Sequence, residues 1–377
     1  MLASDGLYFY STANLFFTNA ARMATVMEDP QIGMKLFKTM FVGFASNIFF
    51  HDRTKVITTP FKAETMEGMK VPTFVTQSMG FDEICDRRAR ELMDYARNTN
   101  RKILVMYSGG IDSTLILASF MRAFNAKTIK DNLLVLMNNT SINENPSFYH
   151  NHVVKQCTIG HSQFFNRYIG DDRYLMITGE GNDQLFGSQV LSKNTNFFTN
   201  KPWDLAVDRT RIVAWLQQRS LPDEAERIFD ILDSICIASP IPIDTIYKWF
   251  WWINFTCKWQ NVFMRSISFA DKSQRESFKP FQNYDMFFRP DEFQLWSMNN
   301  SNQLAGNDWN GAKQVCKDII YDYNRDSEYR DNKQKQGSLH QVLYKKQSVA
   351  CIDNQLRWYD DFDYARWLVP NNSFTQI

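Results

Sequence analysis

The sequence predicts an α/β fold, a doubly wound parallel sheet with a helical C-terminal part and a small α+β N-terminal region. Between residues 82 and 177, short and nearly continuous apolar runs alternate with segments of helical periodicity. This alternation is typical of parallel strands that are connected by helices. A stretch rich in turn residues, 61–80, precedes this part, and mostly helical patterns follow it from about residue 205.

We predict a domain division near residue 75. Residues 1–75 would form the small α+β region, with strands over 7–10 and 55–59 that are rich in aromatic and β-branched residues, and with helices over 21–27 and 30–40. Residues 76–377 would form the main domain. The chain has 377 residues, 44% of them hydrophobic, which is enough to bury a sizeable core in two domains or one large one.

The elements of the main domain are assigned in chain order. A helix begins near Asp82, where Cys85, Ala89 and Leu92 lie at helical spacing. The next helix, 112–124, follows the first strand and its glycine loop. The predicted strands are the nearly continuous apolar runs 102–107 and 133–137, followed by the candidates 153–159 and 174–177. The predicted C-terminal helices are 208–219, 223–237, 244–265 and 340–358.

Composition narrows the class of protein. The 42 basic and 41 acidic residues nearly balance, which argues against a generic nucleic-acid binder. Six scattered cysteines without a CxxC pair indicate reduced thiols and a cytoplasmic protein. The most membrane-like stretch, 246–259, is interrupted by polar residues and falls short of the roughly 20 apolar residues of a span. We therefore expect a buried, Trp-rich helix there and no membrane partner.

A glycine loop, 108–113 (SGGIDS), follows the first predicted strand. Ligands of open α/β sheets bind at the carboxyl ends of strands, and two glycines let the backbone and the next helix N-terminus approach an anion. Ser108 and Ser113 add hydroxyl donors, whereas Asp112 would repel phosphate unless it holds a bridging Mg²⁺. The alternative is an ordinary glycine turn that caps a helix, but the full string after a buried strand favours a phosphate site.

The string SGGIDS resembles the pyrophosphate-binding loop of the N-type ATP pyrophosphatase superfamily. Members of that superfamily cleave ATP between the α- and β-phosphates and adenylate a substrate. The resemblance implies the adenine-nucleotide α-hydrolase version of the predicted fold. The residues that it implies for ATP and pyrophosphate binding are Ser108, Gly109, Gly110, Asp112 and Ser113.

A second glycine-rich loop, 178–187 (TGEGNDQLFG), follows the fourth predicted strand. It would lie at a carboxyl end that faces the first loop. Asp183 could supply a second carboxylate for Mg²⁺, and Glu180 could orient or deprotonate an attacking amine. The alternative is a capping turn whose acids stabilise the start of a helix.

This second string resembles the S-G-E-G-x-D-E-x-F-G-G motif of asparagine synthetases. The two motifs stand in the order of that family, about 70 residues apart. The resemblance implies that Asp112 and Asp183 hold Mg²⁺ and that the second loop forms part of the substrate pocket. The residues that we assign to substrate binding are Thr178, Gly179, Glu180 and Gly181.

The chain departs from the family at positions that would carry acids. Gln184 stands where the second motif has its second Glu, while Thr178 and Ser188 replace a Ser and a Gly. Residues 278–283 (FKPFQN) resemble the R-V-P-F-L-D segment of the family, with Asn283 in place of the Asp. The lost acids leave the identity of the substrate less defined.

A late lysine is the candidate transition-state cation. Attack on the α-phosphate builds negative charge, which a cation stabilises. Residues 333–338 (KQKQGS) resemble the R-Q-K-E-Q-F-S segment of the family, so that Lys335 falls on its catalytic lysine. Lys333 is the alternative, and a solvated charged loop is the non-functional interpretation of the segment.

The N-terminal region offers no glutaminase nucleophile. Glutamine-dependent members of the family open with a cysteine, whose thiolate releases ammonia. The first cysteine here is Cys85. We therefore expect no intrinsic glutaminase activity, and we interpret residues 1–75 either as a glutaminase-domain remnant or as a supporting layer. The amine would be free ammonia, the product of a separate ammonia donor, or part of another substrate.

The sequence thus predicts an asparagine synthetase-like, ATP-dependent amide ligase that uses ATP and Mg²⁺ and releases AMP and pyrophosphate. Aspartate is the leading carboxylate, and Lys335 and Glu180 are the predicted catalytic residues. Two alternatives stay open. One is a lactam-forming or peptide-modifying ligase of the same family. The other is a non-catalytic nucleotide-binding relative.

Overall fold

The structure is a computed structural model, and it describes residues 7–10, 51–56, 65–187, 205–219, 225–267, 270, 279–304, 311–333, 348–352 and 355–359. Two compact units divide the chain. We call the first the sheet unit, which comprises Val75–Asn182 and Phe269–Lys345. The second is the helical unit, which comprises Met1–Phe74, Asp183–Ser268 and Lys346–Ile377.

Regular elements among the described residues are numbered in chain order. The strands are β1 Leu7–Tyr10, β2 Lys102–Met106, β3 Leu133–Met137, β4 Thr158–His161, β5 Tyr174–Thr178, β6 Tyr284–Met286, β7 Ser348–Ile352 and β8 Gln355–Tyr359. The helices are α1 Phe81–Asn98, α2 Ile111–Ala123, α3 Ala126–Asn132, α4 Asn139–Glu144, α5 Asn182–Leu185, α6 Arg209–Arg219, α7 Ala225–Ile237, α8 Ile246–Ile267, α9 Lys279–Gln282, α10 Asp291–Asn299, α11 Gln314–Asn324 and α12 Ser327–Asn332.

The sheet unit is built on five parallel strands in the order β4-β3-β2-β5-β6. Val105 of β2 lies in register with Val135 of β3 on one side and with Ile177 of β5 on the other. Every residue of β3 is buried, as are the last four of β2, because helices cover parallel sheets. The predicted α/β class and parallel sheet are confirmed, and the arrangement is compatible with a Rossmann-like fold.

The strand order reverses at the middle of this sheet. Counted from β2 as the first, the strands lie in the order 3-2-1-4-5, so the chain adds β3 and β4 on one side and β5 and β6 on the other. The reversal falls between β2 and β5, which are hydrogen-bonded neighbours. In open α/β sheets, ligands bind at this switch point, outside the carboxyl ends of the strands.

The strand predicted over 153–159 is largely wrong. Helical turns run from Pro146 to Gln156, with a π-helical turn at Tyr149–Val153, and β4 begins only at Thr158. The reason is a strong helix-initiating signal at Asn145 and Pro146, which lies upstream of the predicted strand. The Asn145 side chain accepts a hydrogen bond from the backbone N–H of Phe148, and proline occupies the first helical position.

The helix predicted over 340–358 is also wrong where the structure describes it. Residues 348–352 and 355–359 are the strands β7 and β8, which form an antiparallel sheet in the order β1-β7-β8. Val349 pairs with Tyr10 across 339 residues of chain. Such a long-range partner leaves no local periodicity in the sequence, and β-branched residues suit the paired state. The strand predicted over 7–10 is confirmed as β1.

The strand predicted over 55–59 is wrong at its first two residues, and the others lie outside the described residues. The Asp52 carboxylate accepts hydrogen bonds from the backbone N–H groups of Thr54 and Val56. This side-chain turn puts Lys55 at φ +61°. The helices predicted over 21–27 and 30–40 likewise lie outside the described residues.

The Trp-rich stretch forms α8, which is buried in the helical unit. Three of its four indole N–H groups have acceptors: Trp249 donates to Asp233 at 3.0 Å, Trp251 to the carbonyl of Leu185 at 2.9 Å and Trp252 to that of Ile235 at 3.0 Å. A buried indole is costly unless it is hydrogen-bonded. Among the helices that the structure describes, none is long and apolar enough to cross a membrane.

A partly buried ion-pair triad lies at β6, the edge strand of the sheet. The Asp285 carboxylate accepts from Arg88 of α1 at 2.7 Å and from Arg289 at 2.8 Å. Burial alone would raise the pKa of Asp285, but the two guanidinium groups hold it below its ordinary value of 3.8. Because the pKa is depressed in the folded chain, the stabilisation is present above pH 3.8 and is lost as the pH falls through the depressed value.

We expect Asp285→Asn to lower the free energy of unfolding by ~3 kcal/mol near neutral pH, because it leaves two cations without their buried counter-ion. The difference from wild type should shrink as the pH falls below 3.8 and through the depressed pKa, where the folded wild-type carboxylate also becomes protonated. Urea unfolding over a pH series measures both. The matched control is Asp322→Asn, which removes an exposed ion pair to Arg325 and should cost at most ~0.5 kcal/mol. An unchanged stability in Asp285→Asn would contradict the triad.

Candidate functional site

The two glycine loops lie side by side at the switch point of the sheet. The first loop connects the end of β2, Met106, to the start of α2, Ile111. The second follows Thr178, the last residue of β5. Because β2 and β5 are parallel neighbours, both loops leave the same end of the sheet. This is the position at which such folds bind ligands.

The loops touch at Gly179. A Cβ atom placed on Gly179 would lie 2.8 Å from the Cβ of Asp112 and 3.5 Å from the backbone nitrogen of Ser113. The first of these distances is shorter than real Cβ contacts allow, so glycine is required for the close approach. The first residues of α2 and the second loop therefore form one continuous surface.

Gly109 gives the first loop its shape. Its φ is +79°, in the left-handed region that favours glycine, and a Cβ atom there would lie 2.3 Å from the carbonyl oxygen of Ser141. Gly110 is the N-cap residue of α2, and no side chain caps this helix end. The first N–H groups of a helix lack intrahelical partners and, with the helix dipole, favour an anion. The 13-residue α2 thus presents an anion-binding end beside the second loop.

The two loop serines hold the loop together. The Ser113 hydroxyl accepts from the backbone N–H of Ser108 at 3.1 Å and lies 3.0 Å from the Ser108 hydroxyl. Ser108 in turn accepts from the backbone N–H of Gly110 at 3.2 Å. Both serines were predicted as pyrophosphate donors, and in this structure their hydroxyls bond within the loop itself.

Asp112 lies at the centre of a polar cluster. Its Oδ1 accepts from the Lys313 ammonium at 2.5 Å and from the Asn182 amide at 2.6 Å. Asn182 is fully buried and also donates to the Sγ of Cys316 at 3.7 Å. The Asp112 side chain keeps 27% of its surface exposed, whereas Lys313 keeps 5%. The predicted metal ligand is therefore already joined to a buried cation.

Lys313 is the residue that sequence reasoning missed. It is the N-cap residue of α11, at φ +59°, and 201 residues separate it from Asp112. This φ lies in the left-handed region of backbone conformation, where non-glycine residues are uncommon and are often found at functional sites. The surrounding sequence, GAKQVCKD, resembles none of the four motif segments described above. Only the folding of α11 against α2 brings the ammonium to the first loop.

A second buried lysine borders the same loop. The Lys333 ammonium lies 2.8 Å from Oε1 of Glu144, and the two side chains are only 8% and 10% exposed. Glu144 ends α4 and packs against the loop, because a Cβ atom on Gly109 would lie 2.9 Å from its Cβ. Tyr329 donates from its hydroxyl to the Gly109 carbonyl at 3.0 Å. Lys335, the predicted catalytic lysine, lies outside the described residues.

The remaining predicted substrate residues belong to the second loop. The Thr178 hydroxyl lies 2.7 Å from the Tyr284 hydroxyl and is buried. Glu180 is partly exposed in the turn, and Gly181 has φ +92°. Asp183, the second predicted metal ligand, lies in the first turn of α5 and belongs to the helical unit.

The two positions with lost acids are both fully buried. Gln184 is inaccessible within the helical unit. Asn283 directly precedes β6, where its side-chain amide donates to Asp172 at 3.2 Å and its backbone carbonyl accepts from the N–H of Met176. Neither amide is presented at a surface.

Burial keeps the Cys316 thiol and the Tyr329 hydroxyl near this site in their protonated, neutral forms. Burial raises the pKa of the Cys316 thiol to about 12, although Lys313 opposes the shift. Burial also raises the pKa of Tyr329 well above its usual range, so its hydroxyl stays a neutral donor. Covalent catalysis by Cys316 is therefore disfavoured near neutral pH.

No complete protein cage for a metal is formed by the described part of the chain, in which no group of three or more His, Cys, Asp or Glu residues could hold one. Mg²⁺ usually binds through one or two carboxylates together with substrate phosphates. Asp112 fits that role as a single ligand, because Lys313 and Asn182 both occupy Oδ1 and the carboxylate is partly exposed.

Comparison with known proteins adds no relative, because no family model matches the chain and no curated protein matches its sequence.

Proposed function

We propose that this chain is an ATP-dependent amide ligase that adenylates a carboxylate, in the manner that its resemblance to asparagine synthetases implies. One observation carries the proposal. The SGGIDS loop and the second glycine loop touch at the switch point of a five-stranded parallel sheet, with buried Lys313 bound to Asp112 of the first loop. Glycine loops, a helix N-terminus and buried cations are the groups that bind a polyphosphate. The adenine-nucleotide α-hydrolase version of the fold is part of this proposal.

The proposed reaction has two steps. An oxygen of the substrate carboxylate attacks the α-phosphorus of ATP, the bond to the β-phosphate oxygen breaks, and pyrophosphate leaves. The amine nitrogen then attacks the acyl-adenylate carbonyl, AMP leaves, and the nitrogen loses a proton to a base. Glu180 is the predicted base, because it is partly exposed in the loop that touches Asp112.

The chain's own residues would bind and orient the nucleotide. The N–H groups at the start of α2 would meet phosphate oxygens, and Lys313 and Lys333 would offset the charge that builds on the leaving pyrophosphate. Lys333, the alternative to Lys335, gains support from its burial beside Glu144 at the loop. Asp112 would hold Mg²⁺, and the metal would supply charge neutralisation to the phosphates.

Aspartate is the leading carboxylate, and ammonia or another amine is the second substrate. Gln184 and Asn283 stand where the resembled motifs have acids, and these two changes favour one alternative. They suit a ligase of the same type that acts on a different acid, such as a lactam precursor or a peptide. The two candidates share the adenylation step and differ only in the acid that is activated.

Exchange of labelled pyrophosphate into ATP tests the proposal across a panel of carboxylates, with and without ammonia. We expect exchange with aspartate, or with another acid if the alternative holds. Asp112→Asn should abolish exchange, because it removes the charge that binds both Mg²⁺ and Lys313. The matched control is Asp131→Asn, an exposed carboxylate on α3, which should leave exchange unchanged. Nucleotide binding without exchange for any acid would overturn the ligase proposal in favour of a non-catalytic relative.

A further inference from the structure

Glu144 contacts both Lys333 and the first glycine loop, 108–113, which we call the phosphate loop because it would bind the phosphates of ATP. Its carboxylate holds the Lys333 ammonium at 2.8 Å. Its own chain packs against both loop glycines, because a Cβ atom on Gly109 would lie 2.9 Å from the Glu144 Cβ and one on Gly110 would lie 3.3 Å from its Oε1. The Glu144 side chain thus packs against the loop from its Cβ to its carboxylate, and the same carboxylate binds the Lys333 ammonium.

The segment that carries Lys333 is fixed to the same loop by a second contact. Lys333 directly follows α12, and Tyr329 of that helix donates to the Gly109 carbonyl at 3.0 Å. Asp326 caps the helix by accepting from the backbone N–H of Tyr329 at 3.0 Å. The backbone before Lys333 is therefore anchored, and Glu144 determines where its long, flexible side chain ends.

We propose that Glu144 is a positioning residue, which holds the Lys333 ammonium at the phosphate loop for the adenylation step. Lysine has a flexible stem and a single point charge, so its contribution to a transition state depends on how well the ammonium is placed. Both side chains are almost fully buried, which makes the loss of either partner costly. This inference rests on the proposed function, because the cation acts there on the phosphates of ATP.

The proposal is tested by a double-mutant cycle with Glu144→Gln and Lys333→Met in the full chain. We expect Glu144→Gln to lower kcat of exchange by about 10-fold, with the KM for ATP within about 2-fold, because it misplaces the cation. In the Lys333→Met background, the same substitution should cause no further loss of kcat, because no cation is left for Glu144 to place. A merely structural role would lower kcat equally in both backgrounds and would overturn the proposal.

A binding measurement, a replacement variant and a control variant complete the test. The affinity for inorganic pyrophosphate with Mg²⁺, measured by calorimetry, should depend on Glu144 only when Lys333 is present. If Glu144→Gln fails to fold, Glu144→Asp replaces it, since it keeps the charge but shortens the reach. The matched control is Glu292→Gln, which breaks an exposed 2.8 Å ion pair to Arg87 and should change nothing.

The two proposals fail in distinguishable ways. Coupled pyrophosphate binding without exchange for any carboxylate would overturn the ligase function and support the Glu144 assignment. Exchange with additive effects of Glu144 and Lys333 would support the ligase and overturn the positioning role. A wild-type chain that binds no pyrophosphate would overturn both.

Discussion

Replacing Lys313 with methionine is expected to reduce ATP–pyrophosphate exchange by about 100- to 1,000-fold, the cost of removing one preorganised charge from a transition state. Methionine keeps an unbranched chain of similar length, so packing around the buried side chain changes little. The loss should appear mainly in kcat, because the negative charge on the leaving pyrophosphate grows in the transition state. Steady-state exchange kinetics at saturating carboxylate measure the effect.

Lys313→Met should also lower the free energy of unfolding, because Asp112 loses its cation. The loss should be smaller than the ~3–5 kcal/mol that breaking a fully buried pair costs, since solvent reaches the carboxylate. Lys127→Met, at an exposed lysine of α3, is the control for removal of a charge. Exchange in Lys313→Met at the wild-type rate would show that this ammonium serves the fold and not the reaction.

Gly109→Ala is the second substitution with a large expected effect. Alanine at φ +79° costs ~1–2 kcal/mol, and its Cβ would lie 2.3 Å from the Ser141 carbonyl oxygen, so the loop backbone must move. We expect a loss of ~2–4 kcal/mol in the free energy of unfolding. Exchange should fall to background, because the displaced loop no longer aligns the helix N–H groups with the phosphates. Urea unfolding and exchange assays on the same preparation measure both losses.

Gly80→Ala is the matched control for this substitution. Gly80 also lies just before a helix, as the N-cap residue of α1, but its φ is −68°. A Cβ atom there would meet only the Asp82 side chain, which can rotate away. We expect a cost of at most ~1 kcal/mol and normal exchange. Equal losses in the two variants would show that the shape of the first loop has no special role.

The central strands and the two glycine loops could be predicted from the sequence because their signals are local. A strand buried on both faces reads as an apolar run, as β2 and β3 do. A loop that must approach a ligand or a neighbouring backbone requires glycine, and Gly109 and Gly179 do make contacts that leave no room for a Cβ atom. The placement of both loops at the carboxyl ends of parallel strands followed from the same patterns.

Elements whose partner is distant in the chain were predicted poorly. The segment at β7 and β8 was interpreted as helical because its periodicity is ambiguous, and only pairing with β1 makes it a sheet. At 153–159, the helix that begins at Asn145 and Pro146 continues into the segment where we predict a strand. In both cases, the deciding interaction lies outside the window in which the pattern was counted.

The sequence by itself determined the two loops, the strands that carry them and the chemistry that their residues resemble. Only the tertiary structure decided which side chains surround those loops. Lys313 reaches Asp112 across 201 residues and Lys333 reaches Glu144 across 189, and neither lysine carries a local signal of its partner. The physical reason is that a glycine turn reflects backbone geometry, which is local, whereas the placement of a buried charge depends on which helices pack together.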